Sequence, residues 1–409
     1  MRETSGPGFD RLLRLSLFPA WQQITQTVRG GPGATRRRIP ALLAVVGTLV
    51  LATSQSISSA APVAQESRNL TVLVGAGRDT DDVFAFFPQN IRVHAGDSIT
   101  WDQNSDSAHT ISFGTSGFPG PAQGTISLPP GQTVPAPVLP IAGRPGVNQA
   151  NPSQYYPFMS PEIVDNTWNG VGFASSGRLT GSEPQPGLPR VVSFSLTFDT
   201  PGTYQYRCLI HGNQMYGTVE VVDATATAPS QAEIDTQAEA EQAVLTALLP
   251  AAHAQNPQAG KAAGANGTSV WSVQAGNTQA GITDLRVQVL EFMPKNVTIT
   301  AGDTVLWTSS FAFHTVGFFP VAPPPPDTYV DTAADGSTIV VTNPDTANPH
   351  KPADVFDPRQ AFTSGRIGYD RPAGNSWTLI FDTPGVYDYI CAVHGDRGMK
   401  GTITVLPRA

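Results

Sequence analysis

Short segments in which apolar and polar residues alternate recur along most of the chain, and each is bounded by Gly, Pro or Asp. Examples are LTVLVGAG at 70–77, IRVHAGDSITW at 91–101, VSFSLTF at 192–198 and GTVEV at 217–221. A period of two places successive side chains on opposite faces of a strand, so these segments predict half-buried strands. The pattern therefore indicates an all-β fold built from Greek-key β-sandwiches.

Long stretches of the chain occur twice with nearly the same residues. SFSLTFDTPGTYQYRC at 193–208 matches SWTLIFDTPGVYDYIC at 376–391, and FPQNIRVHAGDSITW at 87–101 matches MPKNVTITAGDTVLW at 293–307. Such self-similarity indicates an internal duplication. We therefore predict two sandwich domains, at residues 69–223 and 269–407.

Large aromatic residues stand at equivalent places in the two copies and are predicted to fill the cores. They are Trp101 and Phe198 in the first copy and Trp307 and Phe381 in the second. Each copy also has two tyrosines two residues apart, which lie on one face of the same strand. Core packing is the simpler interpretation of these tyrosines, and an electron relay through Tyr206 or Tyr389 is the alternative.

The segment between the copies, 224–268, is predicted to join the domains through a short helix and a flexible linker. Ser230 and Glu233 form a capping-box pattern before an Ala-rich stretch that runs to Leu249 and is predicted to stop at Pro250. The residues that follow are mostly Ala, Gly, Gln and Asn, a composition typical of flexible tethers. On this interpretation the relative placement of the domains is not fixed by the sequence.

The N-terminal residues 1–60 have the pattern of an export signal. Three Arg at 36–38 precede an apolar run at 39–52, and small residues follow at 59–61. The run is short for a membrane span of about 20 residues, although an uncleaved N-terminal anchor is the alternative. The Arg cluster also loosely resembles a twin-arginine signal. We expect a periplasmic or extracellular protein.

The net charge of the chain indicates which kinds of partner it can bind. The chain has 409 residues with 24 Lys and Arg against 32 Asp and Glu, and removing 1–60 takes away seven Arg and two acidic residues, which leaves a net charge of −13. Such an acidic chain is a poor partner for nucleic acid. An acidic surface favours a basic redox partner, or it simply keeps an exported protein soluble.

The candidate chemistry lies in a repeated cluster of Cys, His and Met. CLIHGNQM at 208–215 corresponds to CAVHGDRGM at 391–399, and each follows an upstream His-Thr pair, at 109–110 and 314–315. One thiolate, two imidazoles and one thioether form the donor set of a blue-copper site. A disulfide between the only two cysteines, Cys208 and Cys391, would break both sets, so two separate copper thiolates explain the pattern better.

This order of residues resembles the cupredoxins, in particular plastocyanin and pseudoazurin. In that group an Ala-Gly-Asp turn precedes the first His, a Tyr-x-Tyr-x-Cys-x-x-His segment follows, and a Gly-x-Ile/Val-x-Val strand comes after the Met. The matching segments are 95–97, 204–211 and 217–221 in the first copy and 301–303, 387–394 and 401–405 in the second. The resemblance covers more than half of the chain and implies two copper ions, one in each domain.

The resemblance also implies which residues bind copper. They are His109, Cys208, His211 and Met215 in the first site and His314, Cys391, His394 and Met399 in the second. The second spacing, C-x2-H-x4-M, is that of plastocyanin and pseudoazurin, whereas the first is one residue shorter. Met215 is therefore the expected axial ligand of the first site, with Gln214 as the alternative. The backbone N–H groups of Thr110 and Thr315 are implied to reach the cysteine sulfurs.

These observations predict an exported carrier of single electrons with two mononuclear type 1 coppers and unnamed donor and acceptor proteins. Multicopper oxidases and copper nitrite reductases need additional His clusters, but only His94, His253 and His350 remain and none forms an H-x-H pair. We therefore do not expect an enzyme. The alternative is a periplasmic copper-binding or copper-delivery protein, although the Met-rich and His-rich tracts of such proteins are absent. A structural module that has lost its metal is disfavoured by the two intact ligand sets.

Two long Pro- and Gly-rich inserts, at about 114–170 and 317–360, separate the first His of each copy from its Cys. Loops of this length are usually either functional or disordered. They are predicted to contain extended, polyproline-like segments. Shielding of the copper and recognition of a partner are both open interpretations, as are the oligomeric state and any electron exchange between the domains.

Overall fold

The computed structural model describes residues 66–114, 126–127, 133–134, 138–141, 144, 147–150, 156–181, 190–255, 260–278, 282, 284–310, 313–368 and 374–409. All of them belong to one unit that spans Ala64–Ala409. The predicted export signal or anchor at 1–60 and much of the first insert lie outside the described residues.

Strands dominate the described residues. In chain order they are β1 (Asn69–Ala76), β2 (Asp81–Phe87), β3 (Asn90–His94), β4 (Ser98–Gln103), β5 (Ser112–Phe113), β6 (Ile126–Ser127), β7 (Thr133–Val134), β8 (Val138–Pro140), β9 (Asn148–Ala150), β10 (Phe158–Met159), β11 (Thr167–Trp168), β12 (Ala174–Ser175), β13 (Ser193–Phe198), β14 (Gly202–Arg207), β15 (Tyr216–Val222), β16 (Gly260–Ala263), β17 (Ser269–Ala275), β18 (Val287–Val289), β19 (Phe292–Met293), β20 (Asn296–Thr300), β21 (Asp303–Ser309), β22 (Gly317–Phe318), β23 (Thr328–Thr332), β24 (Thr338–Thr342), β25 (Phe362–Thr363), β26 (Ser376–Phe381), β27 (Gly385–Ile390) and β28 (Lys400–Leu406). The α-helices are α1 (Gln231–Thr246), α2 (Leu249–His253) and α3 (Pro344–Ala347), and two 3-10 turns lie at Gly212–Gln214 and Ala265–Gly267.

Each half of the chain forms two sheets. In the first sandwich the strand orders are β11-β13-β4-β1-β2-β18, whose last strand comes from the second half of the chain, and β10-β12-β5-β14-β15-β3. In the second sandwich they are β16-β17-β21-β26, with β19 also paired to β17, and β20-β28-β27-β22-β25. The halves share the same pairings. Val72 of β1 lies beside Trp101 of the parallel strand β4, and Val273 of β17 lies beside Trp307 of the parallel strand β21. The predicted all-β sandwich architecture is confirmed.

An apolar core fills each half. Trp101 and Phe198 are fully buried in the first core, and Trp307 and Phe381 are buried in the second, as predicted. The tyrosine nearer to each cysteine also belongs to the core: Tyr206 is 0% exposed and Tyr389 is 2% exposed. Core packing therefore accounts for both tyrosines without an electron relay.

A third core joins the halves, and here the structure differs from the prediction of a flexible tether. The capping box at Ser230 is present and starts α1, but Pro250 does not end the helical region, because it occupies the first turn of α2, where a missing N–H costs nothing. Both helices pack on strands of the sandwiches. The buried members of this core are Ala76, Val83, Ala85, Phe87, Ala238, Leu245, Leu249, Ala252, Ile282, Val287, Val289 and Met293.

The strands around the third core show how part of the predicted tether is paired. Composition alone pointed to flexibility, yet β16 pairs with β17 and extends the sheet of the second half. Strand β18 pairs with β2 of the first half instead of a sheet of its own half. Burial of Val287 and Val289, each 0% exposed, stabilises this crossing. The relative placement of the halves is therefore set by packing.

Strands of the two inserts also pair with each other. Strands β8 and β9 of the first insert and β23 and β24 of the second form one four-stranded sheet, in which Val341 lies opposite Gln149. The Arg144 guanidinium contacts the Asp331 carboxylate across this sheet at 2.7 Å. The described parts of both inserts therefore contain short paired strands in addition to loops.

A test of the third core uses two neighbouring residues of α1. Leu245→Ala removes a side chain that is 3% exposed and should lower the free energy of unfolding by about 2–5 kcal/mol. Val244 is 68% exposed, so Val244→Ala should change it by less than about 0.5 kcal/mol. Urea unfolding of the metal-free protein measures both. Equal effects of the two substitutions would contradict the packing of α1 between the halves.

Candidate metal centres

The four predicted ligands of the first site come from two places in one sheet. His109 lies between β4 and β5 and pairs with Leu179 through an isolated β-bridge. Cys208 directly follows β14, His211 lies in the turn after it, and Met215 directly precedes β15. The turn is closed by a hydrogen bond of 2.9 Å that the Cys208 N–H donates to the Met215 carbonyl. The hairpin β14–β15 therefore holds three of the four residues at its tip.

The first site brings the side chains of His109, Cys208 and His211 together. One donor atom from each lies within 4.8 Å of the others. The two Nδ1 atoms are 3.2 Å apart, and Cys208 Sγ is 3.4 Å from His211 Nδ1. Met215 is fully buried in the first core, whereas Gln214 lies on the 3-10 turn and is only partly buried. This burial favours Met215 over Gln214 as the fourth donor.

The second site repeats this geometry with His314, Cys391 and His394, whose donor atoms also lie within 4.8 Å of one another. The two Nδ1 atoms are again 3.2 Å apart, and Cys391 Sγ is 3.5 Å from His394 Nδ1. Met399 is 0% exposed, and its carbonyl accepts a hydrogen bond of 3.0 Å from the Cys391 N–H. The structure thus brings the two predicted histidines and the cysteine of each copy into one cluster.

Hydrogen bonds orient each cysteine. The Thr110 N–H donates to Cys208 Sγ at 3.4 Å, and the Thr315 N–H donates to Cys391 Sγ at the same distance, which confirms the expectation for these two residues. Their hydroxyls have a role that the sequence did not reveal. Each Oγ1 accepts a 2.7 Å hydrogen bond from the N–H of the residue after the cysteine, Leu209 or Ala392. Each cysteine is therefore held in place by a hydrogen bond to its sulfur and by another to the N–H of the next residue.

The upstream histidines have hydrogen-bond partners at Nε2. His109 Nε2 lies 2.9 Å from Ser105 Oγ, and His314 Nε2 lies 2.9 Å from the side-chain amide of Gln288. Since both Nδ1 atoms face the other donors, the ring proton belongs on Nε2, which at His109 donates to the serine hydroxyl. At His314 the Gln288 atom in contact is the amide nitrogen, so the amide is turned by 180° to present its oxygen as the acceptor. Sequence reasoning missed both partners, because neither residue type is typical of copper sites.

Two glycines leave room for these histidines. Gly75 and Gly276 have φ of 70° and 72°, in the left-handed region that favours glycine. A Cβ atom at Gly75 would lie 2.4 Å from His109 Nε2, and one at Gly276 would lie 2.6 Å from His314 Nε2. Both positions therefore exclude any larger residue.

Burial sets the protonation states of the clusters. It lowers the pKa of His211 and of His314 to about 3, and it lowers the pKa of His109 and His394 well below the usual range. Burial also raises the pKa of both cysteine thiols. The imidazoles are therefore neutral and ready to bind a metal, while each thiol must lose its proton when a metal binds.

The clusters have the chemistry and spacing of metal sites. Imidazole nitrogens bind metals such as zinc at about 2.0–2.1 Å, so two nitrogens on one ion lie roughly 3–3.5 Å apart. The measured Nδ1 separations of 3.2 Å agree with this. A soft thiolate with two imidazoles and a nearby thioether is the donor set that suits copper.

Comparison with known proteins supports this interpretation. The profile of the "Copper binding proteins, plastocyanin/azurin family" matches residues 280–406. A plastocyanin of Scenedesmus fuscus is 31% identical over 117 residues, which are 28% of this chain and 87% of that protein. The chain belongs to the plastocyanin/azurin family. A second relative in this family, the chloroplastic plastocyanin of Tetradesmus obliquus, is 30% identical over 135 residues, which are 33% of this chain and 69% of the relative.

Solved structures of cupredoxins also match parts of the chain. The oxidised plastocyanin of Dryopteris crassirhizoma is 22% identical and covers 33% of this chain and 99% of its own, with a TM-score of 0.18. A purple cupredoxin from Nitrosopumilus maritimus is 20% identical and covers 33% of this chain and 98% of its own, also with a TM-score of 0.18. Among the described residues of this plastocyanin/azurin family member, no helix is long and apolar enough to cross a membrane.

The hydroxyl of Thr110 gives a test of how the first cluster is built. Thr110→Val keeps the shape of the side chain but leaves the buried Leu209 N–H without its acceptor. The free energy of unfolding of the metal-free protein should fall by about 1–3 kcal/mol. The exposed strand residue Thr203 provides the control, Thr203→Val, which should have little effect in the same urea titration. If Thr110→Val left the free energy of unfolding unchanged, this hydrogen bond would not stabilise the protein.

The lowered histidine pKa values predict acid sensitivity of the metal-free protein. His211 is protonated below about pH 6.5 when unfolded, but only below about 3 when folded, so the unfolded state binds more protons between these values. Stability should therefore fall as the pH drops from about 6.5 towards 3. His211→Gln should flatten this dependence, and His350→Gln, at an exposed position, should not. Unfolding midpoints at several pH values measure how steeply stability depends on pH. Identical slopes in the unsubstituted protein, His211→Gln and His350→Gln would refute the lowered pKa of His211.

Proposed function

We propose that this chain is an exported electron-transfer protein that carries single electrons through two mononuclear type 1 copper sites. The ligands would be His109, Cys208, His211 and Met215 in the first site and His314, Cys391, His394 and Met399 in the second. The observation that carries the proposal is the presence of two donor clusters, each with one thiol and two imidazoles within 4.8 Å, in which the thiol and the upstream imidazole are buried. Copper bound there would supply a Cu(II)/Cu(I) couple.

The protein around each cluster suits electron transfer. Three donors sit at the tip of a paired hairpin, and the backbone N–H groups of Thr110 and Thr315 already point at the sulfurs. The donors are therefore held in place before a metal binds, and little has to move when the charge of the site changes. Burial of both sulfurs excludes water from the thiolate side of each site.

The remaining histidines support a carrier rather than an enzyme with further copper ions. His94 Nε2 contacts the Ala226 carbonyl, His253 contacts Asp81 and Glu291, and His350 forms a β-bridge with Thr363. None of these three histidines belongs to either of the two donor clusters found among the described residues. Leu209 and Ala392, the residues that directly follow the two cysteines, have apolar side chains that offer no further ligand.

Copper delivery is the second candidate, since the same donors bind Cu(I). Release of the metal would require opening of a buried site, and both cysteines are 0% exposed. The rigid surroundings therefore favour a carrier that retains its copper. The export pattern at 1–60 supports a periplasmic or extracellular location, and the excess of acidic residues supports basic redox partners.

Loading with Cu(II) tests the proposal. The protein should bind about two copper ions per chain and show intense visible thiolate-to-copper absorption. Cys208→Ser and Cys391→Ser should each remove about one ion and the absorption that belongs to it. Ser193→Ala, at an exposed strand position outside the ligand set, serves as the control and should keep both ions.

The outcomes separate the two candidates. Copper that gives strong absorption and is oxidised and reduced reversibly by one electron per site supports the carrier. A colourless protein that binds only Cu(I), or copper binding that is indifferent to both cysteine substitutions, would refute it and favour metal handling.

A further inference from the structure

The strand pair β2–β18, which joins the halves, carries one buried polar residue from each half. In β2 and β18, Asp82 lies opposite Gln288 in an antiparallel register. The two residues are also equivalent in the repeat, because each stands five positions before the aligned Phe87 or Met293. Both are polar and only 2% exposed. Buried polar side chains at the centre of an apolar interface call for a specific partner.

The partner of Gln288 is a residue of the second metal cluster. Its amide nitrogen lies 2.9 Å from His314 Nε2, the ring atom on the far side from the other donors, and turning the amide by 180° puts its accepting oxygen there. An acceptor at this position fixes both the tautomer and the orientation of a metal-binding imidazole. Strand β18, which carries Gln288, has β2 of the first half as its sheet neighbour. The orientation of His314 is thus coupled to the docking of the two halves.

The partner of Asp82 is Arg397, which lies in the loop between His394 and Met399. The guanidinium is 3.0 Å from the Asp82 carboxylate, also contacts Ser107 Oγ, and donates to the Asp81 carbonyl at 2.7 Å. Both side chains are about 95% buried, so neither charge has a substitute partner in water. A carboxylate of the first half therefore anchors the ligand loop of the second.

The ligand loop of the second site is also longer than that of the first. The spacing from His394 to Met399 is one residue longer than that from His211 to Met215. The longer loop contains Gly398, which has φ of 106° and lies where a Cβ would be 3.3 Å from Thr80 of the first half. The longer ligand loop of the second site thus lies close to the first half of the chain.

We propose that Gln288 and Asp82, which lie opposite each other in the strand pair that joins the halves, are positioning residues for the second metal centre, and that the first half of the chain contributes Asp82. Gln288 orients His314, and Asp82 holds Arg397 and with it the loop from His394 to Met399. The inference rests on the proposed binding of copper by these ligands. It predicts that breaking either contact disturbs the second centre more than the first.

The first experiment isolates the second centre by placing Cys208→Ser in every protein, so that Cys391 is the only thiol. Gln288→Met removes the acceptor, and the reaction of metal-free Cys391 with a disulfide reagent should accelerate by about tenfold or more. The Cu(II) electron paramagnetic resonance spectrum of this centre should also change. Gln274→Met is the matched control, because Gln274 is a hydrogen-bonded, partly buried glutamine in β17 without contact to a ligand, and should change neither.

The conservative variant separates positioning from general stability. Gln288→Glu keeps an acceptor for His314 Nε2–H, so it should restore slow thiol reaction while its negative charge lowers the reduction potential of the second centre. In a Cys391→Ser background, Gln288→Met should leave the spectrum of the first centre unchanged. Equal disturbance of both centres, or no effect of Gln288→Met on Cys391, would overturn the role of Gln288.

The second experiment tests the ion pair in the same Cys208→Ser background. Asp82→Asn and Arg397→Met should each accelerate the reaction of Cys391, and the double variant should do so by less than the product of the two factors. Arg359→Met is the control, since Arg359 pairs with Asp357 at the surface with its side chain 86% exposed. Independent, multiplicative effects would overturn the role of Asp82. The thiol measurements need no metal, so failure of copper binding in the parent protein would refute the proposed function without deciding this inference.

Discussion

The burial of two imidazoles next to a thiol is the constraint on which the rest of this structure depends. Each cluster places its donor atoms within 4.8 Å of one another in a site where the cysteine is fully buried. Polar groups removed from water need partners, and the surrounding chain supplies them through backbone N–H groups, hydroxyls and one amide. The sandwich provides the rigid frame that keeps these partners in place, and glycines at Gly75 and Gly276 give the rings their space.

The second organising feature is the shared region between the halves. Two sandwiches with separate cores could be joined loosely, but here helices and strands of both halves bury a third apolar cluster. Pairing of β18 with β2 places Gln288 beside His314 and brings Asp82 of the first half to Arg397 in the ligand loop of the second. The duplicated halves are therefore unequal: the first cluster finds its hydroxyl partner Ser105 within its own half, while the second relies on contacts across the interface.

The sequence predicted those features that depend on local patterns. Alternation located the main strands, repeated aromatic residues located the cores around Trp101 and Trp307, and the repeated Cys-x-x-His segments located both donor clusters. The third core was missed because Val287 and Val289 are separated in sequence from the residues they contact, and a tether-like composition preceded them. The role of Gln288 was missed for a related reason, since its contact depends on a strand pairing between halves that no local period encodes.

X-ray absorption at the copper edge of the Cu(II)-loaded protein would test the central claim most directly, because it reports the atoms bound to the metal. The account predicts one short copper–sulfur distance and two copper–nitrogen distances per copper ion, with the same pattern in the separate Cys208→Ser and Cys391→Ser proteins. Only nitrogen and oxygen atoms bound to the copper, or a short copper–sulfur distance that survives in the protein lacking both cysteines, would contradict it.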